Sequence, residues 1–296
     1  MHQAAYKGYL LAMGAALLWG TLGILGKWLY GYNLDPLTVV FFRASLAFLA
    51  LLLGLLLFRP HLLQVAKRDI AFFALYGLIS IALFYVLYFY TLFLTSVAIA
   101  VVLLYTAPIF VTLIARLTFQ EPLTPLKSAA LIVTFLGCIL VVRAYNPSEL
   151  RLAWPSLLTG LGSGLTYGLF SIFGKKALDR YKPLTVLTYA LGFGTLFLAL
   201  LQRPRQLLQI ELPPQAWLLL IVLALGPTLL AFAFYTSSLR YLQASVASIV
   251  CTIEPVTAAS LAALVLGERL LPGQLLGMVL VILGVAGLQL RSNQGP

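Results

Sequence analysis

Pro36-Leu37-Thr38-Val39 reads again, 147 residues further on, as Pro183-Leu184-Thr185-Val186. The same displacement carries Pro108 onto Pro255, Glu121 onto Glu268, Pro125 onto Pro272 and Gly137 onto Gly284. Gly26-Lys27 returns as Gly174-Lys175 at a displacement of 148, so one residue is lost between that pair and the first block. A period this long, written in apolar residues, is how two structurally similar halves show themselves in a sequence. The halves fall at residues 1–145 and 146–296.

Composition sets the solvent. The chain is 62% hydrophobic and 9% charged, with a mean hydropathy of +1.02; an ordinary soluble domain carries roughly 25% charged residues. Ten apolar segments stand out: 9–29, 36–58, 70–92, 96–118, 124–144, 155–174, 183–201, 216–238, 243–266 and 272–290. Each has roughly the 20 residues that a helix needs to cross about 30 Å of hydrocarbon. Helices are expected, because each satisfies its own backbone hydrogen bonds in lipid. Gaps as short as Phe93 to Thr95 leave room only for tight hairpins. The expected fold is an all-α, multi-pass membrane protein of ten transmembrane helices, embedded in a lipid bilayer.

Several function classes drop out. The net charge of +11 does not mark a nucleic-acid partner, because Lys and Arg sit at segment ends and form no stripe interleaved with aromatics. Cys138 and Cys251 lie inside apolar segments and read as small buried hydrophobes. His2 and His61 are terminal or in a loop, and no Cys/His cluster has metal-ligand spacing. No cofactor is expected. The first apolar segment is longer than a signal-peptide core and lacks an evident cleavage site, so it reads as a mature helix.

Loop charges orient the chain. With the N-terminus inside, Lys7, Arg59, Lys67, Arg68, Arg116, Lys127, Lys175, Lys176, Arg180, Lys182, Arg240 and Arg291 fall on the cytoplasmic side. Lys27, Arg143, Arg151, Arg203, Arg205 and Arg269 fall on the other, and Arg43 lies within a helix. The positive-inside rule therefore places both termini in the cytoplasm, in a plasma (inner) membrane. Five helices per half is an odd number, so the second half enters from the opposite side. The loop after the first helix carries only Asp35, while its counterpart after the sixth carries Lys176, Asp179, Arg180 and Lys182, as inversion requires.

Particular residues follow a family pattern. Leu18-Trp19-Gly20-Thr21 with Lys27, Pro36-Leu37-Thr38 followed by Arg43, Tyr88 to Ser96, and then Pro108, Glu121 and Gly137 form the first set. The second half repeats it with Tyr235, Ala244-Ser245, Glu254-Pro255, Glu268, Gly277 and Gly284. Over nearly its whole length the chain resembles the drug/metabolite transporter superfamily, in its EamA-like branch. The resemblance implies two inverted five-helix repeats around a central cavity, cytoplasmic termini and a small-molecule metabolite as cargo. The chain departs from the pattern at Leu22, where a polar residue is usual, and at Ala190, the counterpart of Arg43.

Polar residues inside membrane helices tend to face the bundle interior or a wet cavity. In the fourth segment Tyr105, Pro108, Thr112 and Arg116 share a face within roughly 80° at 3.6 residues per turn. The sixth presents Ser163, Tyr167, Phe170, Ser171 and Gly174; the ninth Ser245, Ser248, Thr252 and Pro255. Thr228, Phe232 and Tyr235 come from the eighth, Tyr85 and Tyr88 from the third, and Trp19, Gly23 and Tyr30 from the first. Together they predict an aromatic, hydroxyl-rich path with little fixed charge. The competing reading is helix packing, since Ser and Thr bond back to their own helices and Tyr near segment ends joins interfacial belts. Pro108 and Pro255 either free a carbonyl for substrate or a hinge, or make a static bend.

Arg43 and Glu254 are the ionisable residues set deepest in helices. Glu254 is a candidate proton carrier and Arg43 a candidate anchor for a substrate carboxylate; alternatively the two form a structural ion pair. On an ideal helix Glu254 points roughly 160° from Thr252, and the kink at Pro255 is the means of reconciling them. Lys27 reads as snorkelling to the interface. Glu121 and Glu268, ahead of Pro125 and Pro272, read as structural charges at helix entrances. Gly160, Gly164 and Gly168, like Gly273 and Gly277, allow close helix approach, either for a rocking helix or for a homodimer. The family's tenth-helix position favours Gly273 and Gly277 for the dimer; the protein is a monomer or a homodimer.

The leading functional reading is a secondary transporter of a small organic metabolite, amino acids or related compounds, working in export by alternating access. No Gly-rich phosphate loop is present to use ATP directly. The alternatives are uptake of a vitamin or nucleoside-like cofactor, whose flat rings suit an aromatic cavity, and an intramembrane lipid-modifying enzyme. The enzyme lacks any His/Asp, Ser/His or paired-carboxylate arrangement near a membrane surface.

Overall fold

The computed structural model of the chain describes residues 2–145, 154–203, 207 and 209–292. Arg151 and Arg205, assigned above to the outer side, lie outside the described residues, as does the side chain of Arg291. Among the described residues the fold is entirely helical. Nine helices among those residues are long and apolar enough to cross a membrane: α1 (Gln3–Tyr30), α2 (Pro36–Phe58), α3 (Lys67–Leu94), α4 (Val97–Thr118), α6 (Trp154–Ala177), α7 (Pro183–Leu200), α8 (Pro214–Ser238), α9 (Ala244–Leu266) and α10 (Pro272–Gln289). The tenth, α5 (Pro125–Val141), is apolar but shorter.

The repeat is visible in where the helices begin. α2, α5 and α7 each start on a proline that follows an extended residue, and α10 starts on Pro272. Proline belongs there, because the first helical N–H has no partner to lose. Asp35 caps α2 through the Thr38 N–H at 3.1 Å, and Thr124 caps α5 through the Lys127 N–H at 3.2 Å. Irregularities recur as well. α3 widens into a π-helical turn over Leu78–Leu83, and α8 does so over Ala224–Leu230, the same place in the repeat. Pro227 explains the second turn, since it offers no N–H and crowds the preceding turn. α4 breaks at Tyr105 and Thr106, and α9 at Cys251 and Thr252. Each break lies just before the repeated proline, which withholds an N–H from the carbonyl four residues back.

The ten passes put both ends of the described chain on one face, here the terminal face. α1 and α6, the opening helices of the two halves, run in opposite directions, so the repeats are inverted. The sequence halves are nevertheless not the packing units. α1 packs on α8 and α9, and α2 on α8, whereas α3 and α4 pack on α6, and α7 lies mainly on α3 while also meeting α2 across the groups. Each group therefore takes two helices from each half, and inversion exchanges the groups. A rocking of intact five-helix halves does not match this packing.

Glycine faces knit these contacts. A Cβ on Gly277 would stand 2.7 Å from the Gly137 carbonyl oxygen, and one on Gly137 would stand 2.8 Å from that of Gly277. Gly273 faces the Tyr145 hydroxyl, while Gly164 and Gly168 face the backbone of α4 around Leu103 and Ala107. The glycines read above as dimer candidates are thus spent inside the molecule, where α5 meets α10.

Candidate functional site

A cavity of about 660 Å³ lies between the two helix groups. Its lining runs from buried Trp19 and Tyr105 at mid-depth to exposed Lys27 and Glu268, so it opens on the face opposite the termini. Below it a narrow continuation leads toward the terminal face, walled by Tyr105, Pro108, Tyr167, Ser171, Tyr235 and Thr252.

The wall is aromatic because several helices each offer rings at the same depth. Trp19 packs edge-on to Phe232 at 5.3 Å and to Tyr167 at 6.3 Å, and lies 5.3 Å from Tyr235. Tyr167 meets Phe84 at 5.2 Å, and Phe84 in turn meets Tyr85 and Tyr88. Such pairs contribute about 0.5–1.5 kcal/mol each beyond simple burial. Phe84 escaped the sequence reading; its only signal is the four-residue spacing to Tyr88, which puts both on one helix face.

The hydroxyls behave differently from the expectation of a hydroxyl-rich path. Thr112, expected as a substrate contact, donates to the Pro108 carbonyl at 2.7 Å and does not line the cavity or its continuation. Ser248 donates to Ser245 O at 2.9 Å and Thr252 to Ile249 O at 2.6 Å, so both reach the wall with their protons already committed. Ser163 does the same with Gly160 O at 2.7 Å. In a membrane helix the nearest carbonyl is the cheapest acceptor, which is why packing claims these groups. Ser171 is shared with the Tyr235 phenol at 2.6 Å.

Charge enters at two points. Arg43, on α2, is 8% exposed. One terminal nitrogen donates to the Tyr85 hydroxyl, the guanidinium carbon stands 5.1 Å from the Tyr85 ring centre, and Nε has no hydrogen-bond partner. A buried cation with an unpartnered donor is unfavourable on its own, and an acceptor beside it would relieve that cost. Glu254, on α9, lines both the cavity and its continuation, with Pro255 beside it. The break at Cys251 and Thr252 changes the helix phase and lets Thr252 and Glu254 reach one space, which an ideal helix forbids. Arg43 and Glu254 do not form the ion pair considered above, since no contact within 4.0 Å joins them. They face one cavity without touching.

The terminal face is sealed. Glu121 is buried, and its carboxylate accepts from the Ala244 N–H at 2.7 Å, the Ser245 N–H at 3.2 Å and the Ser245 hydroxyl. It serves the first turn of α9, in the other half, and not the entrance of its own α5 as the sequence suggested. Lys127 stands 3.9 Å from Glu121 and donates to Gln243 Oε1 at 2.7 Å. Lys175 donates to the carbonyls of Leu239 and Leu242 at 2.5 and 2.7 Å. Glu268 likewise leaves its own helix entrance and pairs with Lys27 at 3.7 Å across the mouth of the cavity.

Among the described residues no group of His, Cys, Asp and Glu is placed to hold a metal ion. One solved crystal structure overlays 98% of this chain and 98% of its own with a TM-score of 0.81 at 18% identity, a likeness of fold. An uncharacterized transporter of Archaeoglobus fulgidus is 29% identical over 92% of each chain. The uncharacterized transporter YyaM of Bacillus subtilis is 23% identical over 94% of this chain and 92% of its own. The uncharacterized inner membrane transporter YicL of Salmonella typhimurium is 22% identical over 97% of both. The sequence profile of the EamA-like transporter family matches residues 6–143 and matches again over 154–290. With a ten-helix inverted repeat around a one-sided cavity and a twofold match to that profile, the chain is a multi-pass membrane transporter and belongs to the EamA-like transporter family.

Proposed function

We propose that the protein is a secondary transporter that exports amino acids or closely related zwitterions by alternating access. The observation that carries this reading is the pairing of Arg43 and Glu254 on one aromatic cavity without an ion pair between them. A substrate carboxylate satisfies the Arg43 fork and the Tyr85 phenol, whose oxygen already accepts from Arg43 and whose proton is left to give. A substrate ammonium meets Glu254. The rings of Trp19, Tyr85, Tyr88, Tyr105 and Tyr167 take the side chain.

The structure's open mouth and sealed terminal face supply one of the two states that alternating access needs. Placing both termini in the cytoplasm, on the excess of basic residues at that face, makes this the outward-open state of an inner-membrane exporter. The moving bodies are the two mixed helix groups, with the breaks at Tyr105 and Thr252 as hinges.

A thermal-shift screen of the purified protein in detergent tests the reading. Zwitterionic amino acids are expected to raise the unfolding temperature, by about 2.7 kcal/mol of added stability at a hundredfold excess over Kd. Analogues lacking either the amine or the carboxylate are expected to do little. Stabilisation by uncharged vitamins or nucleosides alone would replace the reading with uptake of a flat-ringed cofactor.

A further inference from the structure

The two faces of the molecule carry the same parts in different states of assembly. On the terminal face the seal has three parts: Glu121 on the first N–H groups of α9, Lys127 on Gln243, and Lys175 on the Leu239 and Leu242 carbonyls just past the end of α8. Each suits its place, because a carboxylate complements the unpaired N–H groups of a helix start and a cation complements the carbonyls of a helix end. The Glu121 and Lys175 contacts both cross between the two helix groups. The ion pair at its centre is dry, with Lys127 and Glu121 side chains 5% and 6% exposed.

The repeat sets a counterpart of every part on the opposite face. At the displacement of 147, Glu121 maps to Glu268, Lys127 to Gln274, and Gln243, Ala244 and Ser245 to Ser96, Val97 and Ala98. Leu239 and Leu242 map to Leu92 and Thr95, and Lys175 maps to Lys27 at the displacement of 148. Here the parts stand apart. Lys27 and Glu268 hold each other at 3.7 Å with side chains 62% and 57% exposed. Lys27, Leu92, Val97, Glu268 and Gln274 all line the open cavity. Ser96 takes the Ile99 N–H of α4 at 3.3 Å, so the Val97 and Ala98 N–H groups are the ones that correspond to the pair Glu121 occupies on α9.

We infer that Lys27 and Glu268 form the latch that shuts the mouth in the other conformation: Glu268 accepts from the Val97 and Ala98 N–H groups, Lys27 donates to the Leu92 and Thr95 carbonyls, and Glu121 and Lys175 release theirs. The inference rests on the two-state cycle proposed above. The exposed Lys27–Glu268 pair is then the parked form of two residues whose working contacts lie across the cavity. The counterpart latch is also the weaker one, because Ala98 lacks the Ser245 hydroxyl and Gln274 lacks the Lys127 charge. That inequality favours the open mouth, which is the state the structure adopts.

Spin labels at Phe93→Cys and Arg269→Cys, on opposite lips of the mouth, read its closure as a shorter distance; Cys138 and Cys251 are buried, and the parent chain controls for them. The parent pair is expected to give the long distance. Adding Glu121→Gln, or Lys175→Gln should the buried Glu121 variant fold poorly, is expected to populate the short one. Adding Glu268→Gln or Lys27→Gln on top is expected to cut that population by about tenfold, the scale of one lost charge-assisted hydrogen bond. A short-distance population indifferent to both mouth variants overturns the latch and leaves alternating access standing. Failure of both Glu121→Gln and Lys175→Gln to produce the short distance overturns alternating access, and the latch with it.

Discussion

Arg43 and Glu254 have no charged counterpart in the repeat. Their counterparts are Ala190 and Ala107, both buried and apolar. Lys127 is likewise a charge of one half only, but it lies in the seal, whereas Arg43 and Glu254 line the cavity. Arg43→Lys keeps the charge but removes the planar fork. It is expected to weaken amino-acid binding at least about tenfold in isothermal titration, while leaving amines that lack a carboxylate unaffected. Glu254→Gln is expected to do the reverse, weakening amino acids and sparing their des-amino analogues. If both analogues lose affinity equally in either variant, the two charges act as a structural unit and not as ends of a substrate. Arg43, Glu254 and the tyrosines could be picked out from the sequence because a polar group in a membrane helix needs a reason. Thr112 and Ser163 are held by main-chain carbonyls of their own helices, while Ser171, Ser248 and Thr252 reach the wall of the continuation.

At the scale of helices, the glycines decide where two backbones touch. Gly137 on α5 and Gly277 on α10 each leave no room for a methyl group against the other's carbonyl. Gly277→Ala is expected to lower stability by about 1–3 kcal/mol, read as a lower unfolding temperature in detergent. Gly54→Ala in α2 is the contrast. Nothing lies within 4 Å of a Cβ there, and the better helix former is expected to be neutral or to add up to about 1 kcal/mol. The spacing of these glycines was plain in the sequence, but their partner helix was not. A four-residue stripe reads the same whether it faces a neighbour in the chain or a second copy.

For the whole molecule, inversion makes one set of residues do two jobs. Glu121 and Glu268, or Lys175 and Lys27, occupy one position of the repeat, yet one of each pair is assembled and the other is not. The orientation in the membrane follows from loop charge and is directly testable. A cysteine at Asp179 is expected to react with a membrane-impermeant maleimide only after the cells are opened, and one at Arg269 in intact cells. The opposite pattern would invert the topology and with it the direction in which the cavity faces.

Hydropathy and the 147-residue period by themselves determined ten passes, inverted halves and the deep charged residues, because lipid penalises every unpaired backbone or polar group and leaves few ways to be apolar for so long. Tertiary structure decided what those residues do. It assembled the packing units from both halves, sent Glu121 to a helix 123 residues away, and broke α9 so that Thr252 and Glu254 share a space. It also chose which of two equivalent latches is closed. A repeat encodes each contact twice and is silent about which copy is made, since that depends on the free-energy difference between two packings of one sequence.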